Sequence, residues 1–72
     1  MKTFYFTFGQ IHRHVVNDIV FDKNVVVRID AEDYDSARGK MFELFGKTWA
    51  SQYRELPNMD FYSRGIIDAT KF

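Results

Sequence analysis

The sequence predicts a single small α+β domain over residues 1–72, with a mostly antiparallel sheet of three to five strands and one helix on one face. Short segments of apolar and polar alternation lie on both sides of one helical pattern, in the order strand, hairpin, strand, helix, strand, strand. The chain contains no linker, internal repeat or low-complexity tract. Its hydrophobic fraction of 46% and aromatic fraction of 18% are typical of a folded globular chain.

Two segments alternate in the manner of half-buried strands. In the first, residues 3–8, every second residue is a phenylalanine, and in the second, residues 24–30, branched aliphatic residues recur with the same period. The residues that this pattern places on a common core face are Phe4, Phe6, Phe8, Val25, Val27 and Ile29.

Three shorter elements complete the predicted sheet. Residues 15–21 form a small hairpin that turns at Asn17-Asp18, because both residue types tolerate left-handed backbone. Residues 49–53 alternate as a third main strand, and residues 64–69 form a last short strand after a loop.

One segment has the pattern of an amphipathic helix. Asp33 is the expected N-cap and Gly46 the expected C-terminal cap. Gly39 lies inside this helix, where it either allows close packing on the sheet or marks a weak point. The apolar stripe consists of Tyr34, Ala37, Met41, Leu44 and Phe45.

A single helix covers only one face of a sheet. We therefore expect Tyr5, Val26 and their neighbours on the opposite face to meet solvent, a second copy of the chain or a partner protein. The simpler interpretation is that they are ordinary surface residues.

Charge and composition argue against several classes of function. Ten basic residues balance ten acidic ones, which argues against a generic polyanion binder and against an acidic mimic of DNA. The absence of cysteine fits a reducing compartment, and no apolar run suggests a membrane span or signal peptide. No nucleophile elbow, phosphate-binding loop or dinucleotide fingerprint is present, so we expect the protein not to be an enzyme.

The histidine pair His12-x-His14 is the most specific local feature. Residues two apart on a strand face the same way, so both imidazoles could reach one metal ion, with carboxylates as further ligands. The candidate carboxylates are Asp18, Asp22 and Asp60, and we assign Asp22 as the third ligand. A regular hairpin would place Asp22 on the face opposite the histidines, so it could reach the ion only if the strand breaks near Phe21. The alternative is that both histidines are surface or hydrogen-bonded residues.

Acidic and aromatic residues suggest two further kinds of site. Asp30, Glu32, Asp33 and Asp35 could imitate phosphates or hold a hard cation, although carboxylates at a helix start are more simply explained by capping. Exposed tyrosines could stack on single-stranded nucleic acid, and the candidates are Tyr5, Tyr53 and Tyr62.

A set of short motifs extends over nearly the whole chain. They are Phe6-Thr7-Phe8-Gly9-Gln10, His12-x-His14, Phe21-Asp22-Lys23, Ala37-Arg38, Phe42-Glu43-Leu44-Phe45-Gly46, Trp49, Tyr53 and Phe61-Tyr62-Ser63-Arg64-Gly65-Ile66. In this pattern the chain resembles a family of small phage and prophage proteins of Gram-positive bacteria. It departs from that family at Ser63, where the family has proline, so this turn is expected to be less rigid.

Among such phage proteins the chain is similar to type II-A anti-CRISPR proteins. The resemblance implies an inhibitor that acts in the cytoplasm of the infected bacterium by direct contact with Cas9 or another host defence protein. The histidine pair would then hold a structural zinc ion that stiffens residues 10–23. The alternatives are a nucleic-acid-associated phage accessory protein and, third, a small metal-dependent hydrolase.

Overall fold

A computed structural model describes residues 1–72 and confirms the α+β class. The main sheet has four strands in the spatial order β5-β1-β4-β6. In chain order, the elements are β1 (Lys2–Thr7), β2 (His14–Val16), β3 (Ile19–Phe21), β4 (Val25–Ala31), α1 (Tyr34–Phe45), β5 (Ser51–Tyr53), a 3-10 turn (Met59–Phe61) and β6 (Gly65–Asp68).

The sheet is mostly antiparallel, as the sequence predicts. β1 pairs antiparallel with both β4 and β5, with Phe4 opposite Ile29 and Phe6 opposite Val27. β6 departs from this pattern because it pairs parallel with β4. It can do so because the chain between β5 and β6 crosses the sheet before β6 begins.

The helix lies over one face of the sheet and the hairpin closes one end of the same core. All six residues that alternation assigns to the core face are buried, together with Ala37, Met41 and Phe45 of α1. Three phenylalanines from different parts of the chain meet there. The ring centre of Phe45 lies 5.0 Å from the ring centres of Phe8 and Phe21. These edge-to-face contacts join β1, the hairpin and the helix.

Local signals at the hairpin and the helix are confirmed. Asn17 and Asp18 both have positive φ, 52° and 64°, as a tight turn between β2 and β3 requires. The Asp33 side chain accepts a hydrogen bond from the Ser36 N–H at 2.8 Å and caps α1. At the other end Gly46 has φ 62°, and its N–H donates to the Phe42 carbonyl.

Gly39 does not bring the helix closer to the sheet. A side-chain carbon added at this position would meet nothing within 4 Å, and the residue is exposed. Of the two roles that the sequence leaves open, the structure therefore supports the weak point in the helix.

The third main strand is shorter than predicted. β5 begins at Ser51, and Trp49 lies before it in irregular chain, where its indole donates to the Gly46 carbonyl at 3.1 Å. The indole N–H thus provides a hydrogen-bond partner for a carbonyl group at the end of the helix. The ring itself is buried, with its centre 5.3 Å from the ring centre of Phe6.

One expectation about the second face was wrong: Val26 is completely buried. The segment between β5 and β6 returns along this face, where Phe61 and Tyr62 border the same cavity as Thr7, which is also buried. The Arg64 N–H donates to the Asn24 carbonyl and fixes this segment beside the start of β4. Tyr5 on the same face is half-buried.

Candidate functional site

His14 is held by hydrogen bonds at the end of the helix. Its Nε2 atom lies 2.8 Å from the Thr48 carbonyl oxygen and 2.6 Å from Thr48 Oγ1. The Thr48 hydroxyl donates to the Phe45 carbonyl, and the imidazole packs against the rings of Phe8 and Phe45. These contacts give His14 a structural role: it joins the hairpin to the segment that follows α1.

Asp22 lies immediately after β3, where the predicted break in the strand occurs. Its Oδ1 atom accepts a hydrogen bond from the Asn24 N–H at 2.9 Å and lies 3.8 Å from the Arg64 guanidinium. Arg64 also donates to the Val20 carbonyl. The carboxylate therefore organises the turn between β3 and β4 and anchors the segment that leads into β6.

The structure does not assemble the predicted metal ligands. No group of three or more histidine or acidic side chains comes close enough together to hold a metal ion. His12, His14 and Asp22 therefore lack the convergence that a zinc site needs. Zinc binding stays a prediction, and the geometry of His14 favours the alternative of a hydrogen-bonded histidine.

Two of the four acidic residues around the start of the helix make contacts within the protein. Asp33 caps α1, and the hydrogen bond from Ser36 lowers the pKa of its carboxyl group. Asp30 accepts a hydrogen bond from Thr3 Oγ1 at 2.6 Å and pairs with Arg28, and these bonds lower the pKa of Asp30. Asp33 thus caps the helix as expected, and Asp30 is engaged within the sheet, so these two carboxylates serve the fold and not phosphate mimicry.

The most prominent exposed apolar feature lies at the end of β5 and in the segment that follows it. We call Tyr53, Leu56 and Phe61 the aromatic loop surface; their exposed fractions are 41%, 49% and 74%. They border a cavity of about 590 Å³. Tyr53 and Phe61, together with Tyr62, also border a neighbouring cavity of about 320 Å³. Phe61, the most exposed of these side chains, therefore borders two adjacent concave regions.

Local hydrogen bonds hold Phe61 in this exposed position. Asn58 Oδ1 accepts from the Asp60 N–H at 3.0 Å and caps the 3-10 turn, whose end is closed by the Tyr62 N–H bonded to the Met59 carbonyl. The Gly65 N–H then donates to the Tyr62 carbonyl. The backbone around Phe61 is thus ordered by its own turn, although the ring faces solvent.

Two arginines on the helix side of β5 stack on aromatic rings. The Arg54 guanidinium lies 4.9 Å from the ring centre of Tyr34, and that of Arg38 lies 5.1 Å from Trp49 and 5.3 Å from Phe42. Neither is paired with a carboxylate, since the two ion pairs of the protein are Arg28–Asp30 and Arg64–Asp22.

Sequence reasoning missed both of these features. Arg38 was noted only within a family motif, although its spacing of four residues from Phe42 is a signal for contact on a helix. Phe61 entered only as part of a family motif. No sequence pattern distinguishes an exposed phenylalanine from a core one, because a three-residue turn has no useful periodicity.

The fold and these residues define a small α+β domain with an exposed aromatic surface and two unpaired, stacked arginines. No family model, no curated protein and no solved structure matches the chain. No helix in the protein is long and apolar enough to cross a membrane.

Proposed function

We propose that the protein is a phage-encoded inhibitor that binds host Cas9 by direct protein contact and carries out no reaction of its own. The aromatic loop surface is the contact region. The partner is proposed from the resemblance to type II-A anti-CRISPR proteins, and the mode of action from the geometry of this surface.

The observation that carries the proposal is the exposure of Phe61. A phenylalanine that is 74% exposed on a hydrogen-bonded turn gains free energy when a partner covers it. Tyr53 and Leu56 lie on the same cavity, so a partner would cover a group of large side chains together. Aromatic residues are enriched at the energetic centres of protein interfaces.

Preorganisation supports the same proposal. The turn that carries Phe61 is fixed by Asn58 at its start and by Arg64 at its end. A partner therefore does not need to order this backbone on binding, which reduces the entropic cost of association.

The test is inhibition of DNA cleavage by a purified type II-A Cas9, with binding measured in parallel. The wild-type protein is expected to bind Cas9 and slow cleavage, and Phe61→Ala is expected to weaken binding by about tenfold or more. The matched control is Ile11→Ala, which removes an aliphatic side chain that is 86% exposed outside this surface. Unchanged cleavage in excess protein would contradict the proposal.

A second candidate is binding to single-stranded nucleic acid. It is supported by the cations next to the exposed rings: Arg54 borders the larger cavity with Phe61, and Lys23 borders the smaller one. This candidate predicts binding to an oligonucleotide that weakens steeply with salt concentration, as measured by fluorescence anisotropy. Cas9 binding that persists without nucleic acid would favour the first candidate.

A further inference from the structure

The outer edge of β5 is open for pairing. β5 is the terminal strand of the sheet, and its only strand neighbour is β1. The backbone of Ser51–Tyr53 makes no hydrogen bond to any segment other than β1. An edge of this kind presents unpaired N–H and C=O groups that an added strand can bind.

The two sides of this edge differ in chemistry. Gln52 points to the helix side, where its Nε2 donates to the Tyr34 carbonyl at 3.0 Å. Ser51 and Tyr53 therefore point to the other side, because neighbouring strand residues alternate. Arg54 and Arg38 stack on rings of the helix side, whereas Tyr53 belongs to the aromatic loop surface.

We infer that the β5 edge accepts an extended segment of a partner protein in which acidic and apolar residues alternate. The backbone of this segment would pair with β5. Its carboxylates would face Arg38 and Arg54, and its apolar side chains would lie against Tyr53 and its neighbours. This partner chemistry rests on the proposed function as a protein-binding inhibitor and specifies what the partner must offer.

Charge complementarity is the reason for assigning carboxylates to one side of the segment. Both guanidiniums lack a carboxylate partner within the protein, and stacking leaves their N–H groups able to form paired bonds with a carboxylate. Arg54 and Glu55 both border the larger cavity, but no ion pair joins them. A peptide fits the edge better than a nucleic acid, since backbone pairing requires amide groups.

The test uses the whole protein labelled with ¹⁵N and a synthetic peptide of nine residues in which glutamate and valine alternate. Titration followed by NMR is expected to shift the amide signals of Ser51–Tyr53 and the side-chain Nε signals of Arg38 and Arg54. The double variant Arg38→Ala with Arg54→Ala is expected to weaken peptide binding by about tenfold.

Two controls make the result specific. The double variant Arg13→Ala with Lys71→Ala removes the same charge from two exposed positions that border no cavity with β5, and it should retain binding. A peptide that alternates lysine and valine should not bind. Absence of shifts at β5 with the glutamate peptide, shifts centred on β6, or equal binding by both double variants would overturn the inference.

The same double variants separate this inference from the proposed function. If Cas9 binding depends on Phe61 but not on the two arginines, the function stands and the edge is not used. If the wild-type protein does not bind Cas9, the proposed function fails, and the peptide titration still decides whether the edge accepts an acidic strand.

Discussion

Side chains that sequence reasoning treats as possible ligands are, at the residue scale, mostly hydrogen-bonding partners in the fold. His14 contacts Thr48, Asp22 contacts Asn24, and Asp33 caps the helix. A sequence places two histidines on one face of a strand, but it does not show which backbone carbonyl from a distant segment will meet them. The cap at Asp33 was predictable because its partner lies three residues away.

The role of His14 leads to a test of the metal prediction. If its hydrogen bond to Thr48 is structural, His14→Ala lowers the Tm by a few degrees, on the order of 1 kcal/mol, and a chelator leaves the wild-type Tm unchanged. Elemental analysis and melting curves with and without chelator measure both effects. About one zinc per chain, with a chelator-induced loss of Tm, would instead support the zinc site.

Asp30 is expected to make the free energy of unfolding depend on pH. The Thr3 hydroxyl and the Arg28 guanidinium lower the pKa of its carboxyl group below the unfolded value, so the contribution is present above about pH 4 and is lost as the pH falls through the folded pKa. Asp33 and Asp68 have lowered pKa values for related reasons, through bonds from Ser36 and Thr70.

Urea unfolding at a series of pH values measures this dependence. The wild-type free energy of unfolding is expected to fall below about pH 4, and Asp30→Asn is expected to show a shallower fall. The control Asp60→Asn changes a carboxylate with no hydrogen bond or ion pair in the structure and should keep the wild-type slope. Equal slopes for wild type and Asp30→Asn would contradict the assignment.

Gly39 offers a stabilising substitution. Because its position is exposed and helical with open space around it, Gly39→Ala is expected to raise the free energy of unfolding by about 0.5–1 kcal/mol. The control is Gly46→Ala, which is expected to destabilise because its φ of 62° disfavours a side chain. A loss of stability in Gly39→Ala would show that the glycine has a packing role.

At the scale of elements, the strands and turns that depend on neighbouring residues were predictable from the sequence. The pairing of strands that depends on distant contacts was not. Alternation located β1 and β4, and turn chemistry located the hairpin, since both depend on neighbouring residues. The parallel pairing of β6 with β4 and the burial of Val26 depend on how residues 54–64 cross the sheet. Nothing in the sequence of that segment specifies its path.

The hairpin turn provides the test at this scale. Asp18 has φ 64°, a conformation that glycine adopts without steric cost. Asp18→Gly is therefore expected to stabilise the protein by about 0.5–1 kcal/mol in urea unfolding. An unchanged or lower stability would contradict the positive φ of Asp18 as the reason for the effect.

At the scale of the whole molecule, the core is aromatic and compact, and the exposed apolar side chains lie outside it. Phe4, Phe6 and Phe8 fill the face under the helix, as alternation predicted. The candidate site was less predictable, because Phe61 differs from those residues only in its surroundings. A net charge of zero leaves local features, such as two stacked arginines, to determine which partner is bound.

The central claim is that this protein acts by binding a partner protein through its aromatic loop surface. The most direct measurement is the Kd for a purified type II-A Cas9, determined for wild type, Phe61→Ala and Ile11→Ala under the same conditions. We predict tight binding by wild type and Ile11→Ala and a Kd raised by about tenfold or more in Phe61→Ala. No binding by the wild-type protein, or equal Kd values for all three, would contradict it.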